Sequence, residues 1–385
     1  MKVFGSSKKK NNGSDRHAVD DTQYQEPEAK RKKGRAGKII LTILVIIAIC
    51  LGGFALYWKL TTKPPETDVP GDNNPLDSQE VTYDDLKRYY TILLVGEDQE
   101  HANTDTIMLM RFDTQEKRAD IVSIPRDTVI NVPGSAKKIN SVYHHQTNGG
   151  IEALKDQVQA ITGFRPNNYI FVNLDAFEEV VSAIGGVWFD VPQDMVYDHW
   201  SEYDDSMFLI NVKKGYQNLN GHDALSVWRY REGYANGDID RLNVQHDLLY
   251  AIAEQVMNLG LEDWNKLLNV MQIGMNNCET DLTMGNIQWY ASEFLKMDME
   301  DLSIHTAPVT GCYINDLTYV TLDVDSWITM INASLNPYNY EITAEDCAIV
   351  YAKNRLLINN QYHIETKDLA VTDGSTAYTN FLYLH

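Results

Sequence analysis

The sequence predicts an α/β fold, a central β-sheet sandwiched by helices, preceded by one N-terminal membrane-spanning helix. Three observations carry that prediction. Aliphatic runs of strand length recur between residues 91 and 192, and amphipathic runs of helical period alternate with them. One uncharged apolar stretch precedes them all.

That stretch is KIILTILVIIAICLGGFALYW, residues 38–58, with its only charge at Lys38. About 20 apolar residues match the thickness of a bilayer's hydrocarbon core. A buried core helix of that length would keep a polar face, and a cleaved signal peptide would be shorter and end in a small-x-small site. KRKKGRAGK (30–38) stands before it, which places residues 1–37 in the cytoplasm by the positive-inside rule and the remainder outside the cell membrane. The tail itself is polar, basic and expected to be disordered. Residues 59–85 carry Pro, Gly, Asn and acids, the composition of an extracytoplasmic linker.

Charge divides along the same line. Residues 1–38 hold 11 Lys and Arg against 5 Asp and Glu, whereas the rest holds 22 against 49, a net charge of −27. So acidic a body excludes nucleic acid as a partner, since phosphate backbones attract basic surfaces. A single phosphate ligand needs only a local cluster of arginines and is not excluded.

TILLVG (91–96), TIMLMRFD (106–113) and RADIVSIP (118–125) read as three successive strands. A helix from Ile151 follows, with Ile151, Leu154, Val158 and Ile161 on one stripe. NYIFVNL (168–174) is a strand, a helix runs from Asp175 to the Gly185–Gly186 pair, and GVWFDVP (186–192) is another short strand. From residue 220 the pattern turns helical. Cys278, Cys312 and Cys347 fit no metal spacing, and either one disulfide plus a thiol or three buried thiols would suit them.

Two groups of residues stand apart from packing. Asp98 and Asp105 bracket the loop between the first two strands, and Arg126 and Asp127 leave the third just after Pro125, which ends its ladder. Neighbouring strands would bring these loops to one edge of the sheet, where α/β proteins bind ligands. Two carboxylates there suit a hard cation such as Mg²⁺; solvated loop acids are the plainer alternative, as a surface ion pair is for Arg126 and Asp127. The second group is WRYREGYANGDIDRLNVQH (228–246), with Arg229, Arg231, Asp238, Arg241 and Gln245. A helix starting near Asp238 puts Asp238, Arg241 and Gln245 on one face of its first two turns, with Asp238 equally suited to cap it. Guanidinium forks match phosphate oxygens two at a time.

LLVGEDQ, NTDTIMLMRFD, IVSIPRDTVI, KKIN and LNGHDALSVWRYREGYANGDIDRLNVQHDLL, in this order and spacing, resemble the LytR–CpsA–Psr family of cell-envelope proteins. The resemblance covers residues 90–260 and continues more weakly to 310. It implies a catalytic domain at 86–310, with Mg²⁺ at Asp98 and Asp105 and a pyrophosphate at Arg126, Arg229 and Arg231, joined by Arg241 and Gln245. The activity it implies is transfer of a glycopolymer, of teichoic acid or capsule type, from a polyprenyl-pyrophosphate carrier to an N-acetylmuramic acid of peptidoglycan. Asp105 or Asp238 would accept the proton of the attacking hydroxyl. Hydrolysis of the same lipid, or lipid and wall binding without turnover, are the alternatives. One position departs from the family pattern: Asn103 stands where an Arg is usual. Residues 311–385 form an extension to which the sequence attaches no activity.

Overall fold

The computed structural model describes residues 59, 61–66, 88–97, 104–132, 137–145, 149–201, 206–234, 238–260 and 262–372. The span expected at 38–58, Asp98 and Asn103 lie outside the described residues. Residues 61–66 lie against a helix, α6 (Met284–Phe294), where Asn286 Nδ2 donates to the Lys63 carbonyl at 3.0 Å.

The three predicted strands are β1 (Tyr89–Glu97), β2 (Thr104–Asp113) and β3 (Arg118–Ser123), antiparallel neighbours in that order. Next to β1, β4 (Asn168–Val172) runs parallel, and β9 (Cys278–Thr280) closes that edge. The other edge is β10 (Leu302–Thr306), parallel to β3. The six-stranded order is therefore β10-β3-β2-β1-β4-β9. β1, β3, β4 and β10 all end at the same edge, and β2 begins there.

Strand alternation assigns each residue to one of two buried faces. Leu93, Val95, Ile107, Leu109 and Val122 meet Leu154, Val158 and Ile161 of α1 (Ile151–Thr162). On the opposite face Tyr90, Phe112 and Ile304 meet Leu249 and Ala253 of α4 (Asp238–Leu259) and Trp289 of α6. Each such side chain, once buried, contributes about 1.5–3 kcal/mol of transfer free energy. Helices thus cover both faces, as the alternating pattern predicts.

The strand GVWFDVP does not join this sheet. As β5 (Val187–Val191) it pairs only with β8 (Gly215–Leu219), in a separate two-stranded ribbon. α2 (Leu174–Ile184) precedes it; Asn173 caps that helix by accepting from the Ala176 N–H at 2.7 Å, and Gly185 ends it at φ +96°. A second ribbon, β6 (Met195–Ser201) with β7 (Ser206–Val212), follows β5, and α3 (Gly221–Arg229) follows β8.

Residue 310 is no boundary in the folded chain. Trp327 of α7 (Val324–Met330) is fully buried beside α1, donating its indole N–H to the Ile161 carbonyl at 2.7 Å. Ile331, Leu335, Ile342 and Ile349 share one cluster with Leu93 and Leu109. β12 (Leu317–Leu322), paired with β11 (Val309–Ile314), also reaches the loop after β3: Val129 N–H donates to the Val320 carbonyl at 2.9 Å, and Val320 N–H to the Asp127 carbonyl at 3.0 Å. Residues 327–349 of the extension therefore join the core, and β12 braces that loop.

Candidate active site

The exit of β3 explains where Arg126 goes. The ladder persists one residue past the strand, with Ile124 N–H donating to the Ile107 carbonyl at 2.8 Å. Pro125 then offers no N–H, and its carbonyl accepts from the Thr128 N–H at 3.0 Å and the Thr128 hydroxyl at 2.6 Å. This tight turn lays the Arg126 side chain across the start of β2. There Arg126 Nη1 meets Asp105 Oδ1 at 2.5 Å, while Arg231 Nη2 reaches Asp105 Oδ2 at 2.9 Å. Asp127 instead forms an ordinary ion pair with Lys138 at 2.8 Å. Of the two charged residues after Pro125, only the arginine belongs to the site.

Two helices supply the remaining groups. Arg229 ends α3, and Arg231 follows two residues later. On α4, Arg241 and Gln245 lie one turn apart and are 7% and 8% exposed, so their i, i+4 spacing faces inward as predicted. Gln245 Nε2 donates to the Trp228 carbonyl at 2.9 Å, which fastens α4 to α3. Asp238 is the first residue of α4, and its side chain lies outside the described residues.

These side chains converge on one cavity of about 580 Å³ at the carboxyl ends of β1, β3 and β4. Arg126, Arg229, Arg231, Arg241 and Gln245 line it together with Asp105, which Arg126 and Arg231 both contact. Leu94, Met108, Phe177, Ile210, Leu225 and Leu249 line the remainder between the sheet and its helices. The cavity therefore combines clustered guanidinium groups with apolar walls.

A divalent ion fits the described donors only in part. Both oxygens of Asp105 already face guanidinium groups, and among the described residues no three His, Cys, Asp or Glu side chains stand close enough to hold a metal. Glu97, at the end of β1, and Glu232 are further carboxylates that line the cavity.

Sequence reasoning missed several parts of the site. β6 and β7 were not read as strands, yet Tyr197 and Ile210 on them wall the groove. Beneath the cluster, buried Ser123 and His246 join through the Ser123 hydroxyl and His246 Nε2 at 2.9 Å, tying β3 to α4. Burial, and secondarily His305, pushes His246 below the usual imidazole range. The available signal was the one polar residue inside the apolar run IVSIP; His246 lies between Gln245 and Asp247 and nothing local singles it out. Tyr234 packs edge-on against Tyr230 behind Arg231, its hydroxyl pushed up to about 12 by burial. The cysteines resolve into three free thiols, with Cys312 and Cys347 buried and held protonated by desolvation.

The sequence signature of the LytR_cpsA_psr family matches residues 59–334. The chain belongs to the LytR_cpsA_psr family. An uncharacterized Staphylococcus aureus protein is 33% identical over 233 residues, which cover 60% of this chain and 55% of that relative. The Bacillus subtilis polyisoprenyl-teichoic acid–peptidoglycan teichoic acid transferase TagV is 28% identical over 278 residues, 69% of each chain. The crystal structure of B. subtilis TagV shares the fold at a TM-score of 0.56 and 23% identity, covering 66% of this chain and 99% of that one. The family match ends at residue 334, beyond the expected limit of 310 and inside the shared core.

Proposed function

We propose that this LytR_cpsA_psr protein is a membrane-anchored, extracytoplasmic phosphotransferase. It moves a teichoic-acid-type or capsule-type glycopolymer from a polyprenyl-pyrophosphate carrier to an N-acetylmuramic acid hydroxyl of peptidoglycan. The observation that carries this reading is the make-up of one cavity, which four arginines and Gln245 share with apolar walls. A prenyl chain suits the groove, and pyrophosphate oxygens suit the guanidinium forks. TagV, similar in sequence over 69% of its length, is named for such a transfer.

The acceptor hydroxyl attacks the phosphorus that bears the glycan, and the bond to the prenyl phosphate oxygen breaks. The hydroxyl proton goes to a carboxylate, and polyprenyl phosphate leaves. Negative charge grows on that leaving group, and Arg126, Arg229 and Arg231, which line the cavity, neutralise it. In the ligand-free protein Asp105 holds Arg126 and Arg231 in place, so a pyrophosphate would meet arginines already positioned rather than mobile. Arg241 and Gln245, which line the same cavity from α4, supply further contacts to that group. Asp105 or Asp238 is the carboxylate that takes the proton.

Mg²⁺ is part of the proposal as a cofactor of Asp98 and Asp105, supplying charge neutralisation beside the phosphates. Chelation should then stop turnover, and undiminished transfer in chelator would remove the ion from the account. Anchoring rests on the apolar run at 38–58 and its basic flank. Protease added to protoplasts should digest the chain down to a short anchored fragment; a protected body would reverse that orientation.

Incubation with a lipid-linked glycan and peptidoglycan tests the activity. Polymer joined to peptidoglycan is the expected product. Free polymer would make the protein a hydrolase, and unchanged lipid would make it a binding module.

A further inference from the structure

The β5–β8 ribbon carries a second surface that the cavity does not use. Its inner residues Val187, Phe189, Val191 and Leu219 are buried in one cluster. Its outer face presents Trp188, Asp190, Tyr216 and Asn218, all exposed, with Trp188 opposite Asn218 and Asp190 opposite Tyr216. Trp188 is 50% exposed and Tyr216 71% exposed, yet their rings lie nearly parallel, 22° apart with centroids at 5.4 Å. Two large aromatic residues standing open on a strand face cost solubility and invite association, so their exposure calls for an occupant. Asn218 stands beside them, its side-chain oxygen packed against Gly186, where a Cβ would lie 2.1 Å from it.

We infer that this face is a docking platform for the glycan strand of the acceptor, a chain of N-acetylated pyranose rings. A pyranose presents a flat array of C–H bonds that packs on an aromatic face, ringed by hydroxyl and amide groups that need polar partners. Trp188 and Tyr216 supply the aromatic faces. Asp190 accepts from hydroxyls, and the Asn218 amide both donates and accepts. The chemistry also rejects the rival polymer. A phosphate-linked chain would meet Asp190 on the platform, on a body that carries −27 beyond residue 38. Continuity with the reaction centre supports the same occupant. The turn after β5 is joined to the cavity rim, Gln193 Nε2 donating to the carbonyl of Glu232 at 3.1 Å, and Glu232 is the residue next to Arg231. The ribbon that carries the platform is thus connected through this turn to a residue that lines the cavity.

The inference rests on the transferase reading for its acceptor, but its test does not require turnover. Peptide-free peptidoglycan oligosaccharides, and separately poly(glycerol phosphate), are titrated calorimetrically into the purified full-length protein. The native protein should bind the oligosaccharide. Trp188→Ala and Tyr216→Ala should each weaken that binding about 10-fold or more, with the protein still folded at the assay temperature because the core beneath the ribbon is untouched. Trp188→Phe, which keeps an aromatic face, should restore most of it. In a transfer assay Trp188→Ala should raise the KM for the glycan acceptor and leave kcat unchanged. Oligosaccharide affinity unaltered in the Trp188→Ala, Tyr216→Ala double variant would overturn the platform. So would binding of poly(glycerol phosphate) in preference to the sugar chain, lost in the same variants. Trp188-dependent glycan binding without any polymer transfer would leave the platform standing and sink the transferase reading alone.

Discussion

Replacing Arg231 or Arg126 by Lys separates recognition by geometry from mere charge. Each guanidinium makes one bond to Asp105, at 2.9 and 2.5 Å, with side chains 47% and 26% exposed and the carboxylate 30% exposed. Ion pairs so open to water contribute under about 1 kcal/mol to stability, and Lys preserves most of that. The melting temperature of either variant should stay within a few degrees of the native protein. Turnover should behave otherwise. A pyrophosphate oxygen pair needs the planar fork, which an ammonium lacks. Losing one such contact in the transition state costs about 2–4 kcal/mol, or roughly 10²–10³ in rate, by comparison with a lost oxyanion donor. The fall should appear in kcat more than in KM, and the two substitutions together should be less than additive because they share one ligand. Steady-state transfer from a lipid-linked glycan, with thermal unfolding of the same preparations, is the assay. Near-native turnover in both Lys variants would refute the pyrophosphate role and return these arginines to surface ion pairing.

Three further expectations concern the frame of the site. Leu94→Trp, placed in the groove wall, should weaken binding of long-chain carriers by more than about 10-fold and leave inorganic pyrophosphate binding unchanged; equal effects on both would mean the groove does not hold the chain. His246 is held neutral below the ordinary imidazole value, so the unfolded chain binds the extra proton first; stability should fall as pH drops below about 6.5, and His246→Gln should flatten that slope in pH-dependent unfolding. Trp327→Ala should cost about 3–5 kcal/mol, and truncation at residue 310 should yield unfolded protein; a soluble, folded truncation would show residues beyond 310 to be separable.

What was legible in the sequence follows the range of the interactions involved. β1, β2 and β3 are successive and paired in order, so local aliphatic runs sufficed, and the arginines stood out because guanidinium groups are scarce in an acidic chain. The i, i+4 relation of Arg241 and Gln245 is likewise local to one helix. β9 and β10 close the sheet from 100 or more residues away in the chain, and no local pattern encodes which edge each takes. Residues 311–349 looked like an extension for the same reason: their apolar side chains fill the space beside α1, a long-range fact. The groove was illegible for a different cause. Leu225 in its wall and Leu248 in the core are the same residue type with the same helical period, and only packing distinguishes them. Ser123 and His246 reveal themselves only as a pair.

The claim on which the account turns is that one cavity binds a lipid tail and a pyrophosphate together. Titrating the purified protein with a prenyl pyrophosphate, the matching prenyl alcohol and inorganic pyrophosphate measures this directly. The prenyl pyrophosphate should bind at least about 100-fold more tightly than either half, with its affinity falling in Arg126→Lys, Arg231→Lys and Leu94→Trp alike. Inorganic pyrophosphate or the alcohol binding as tightly as the joined molecule would contradict it.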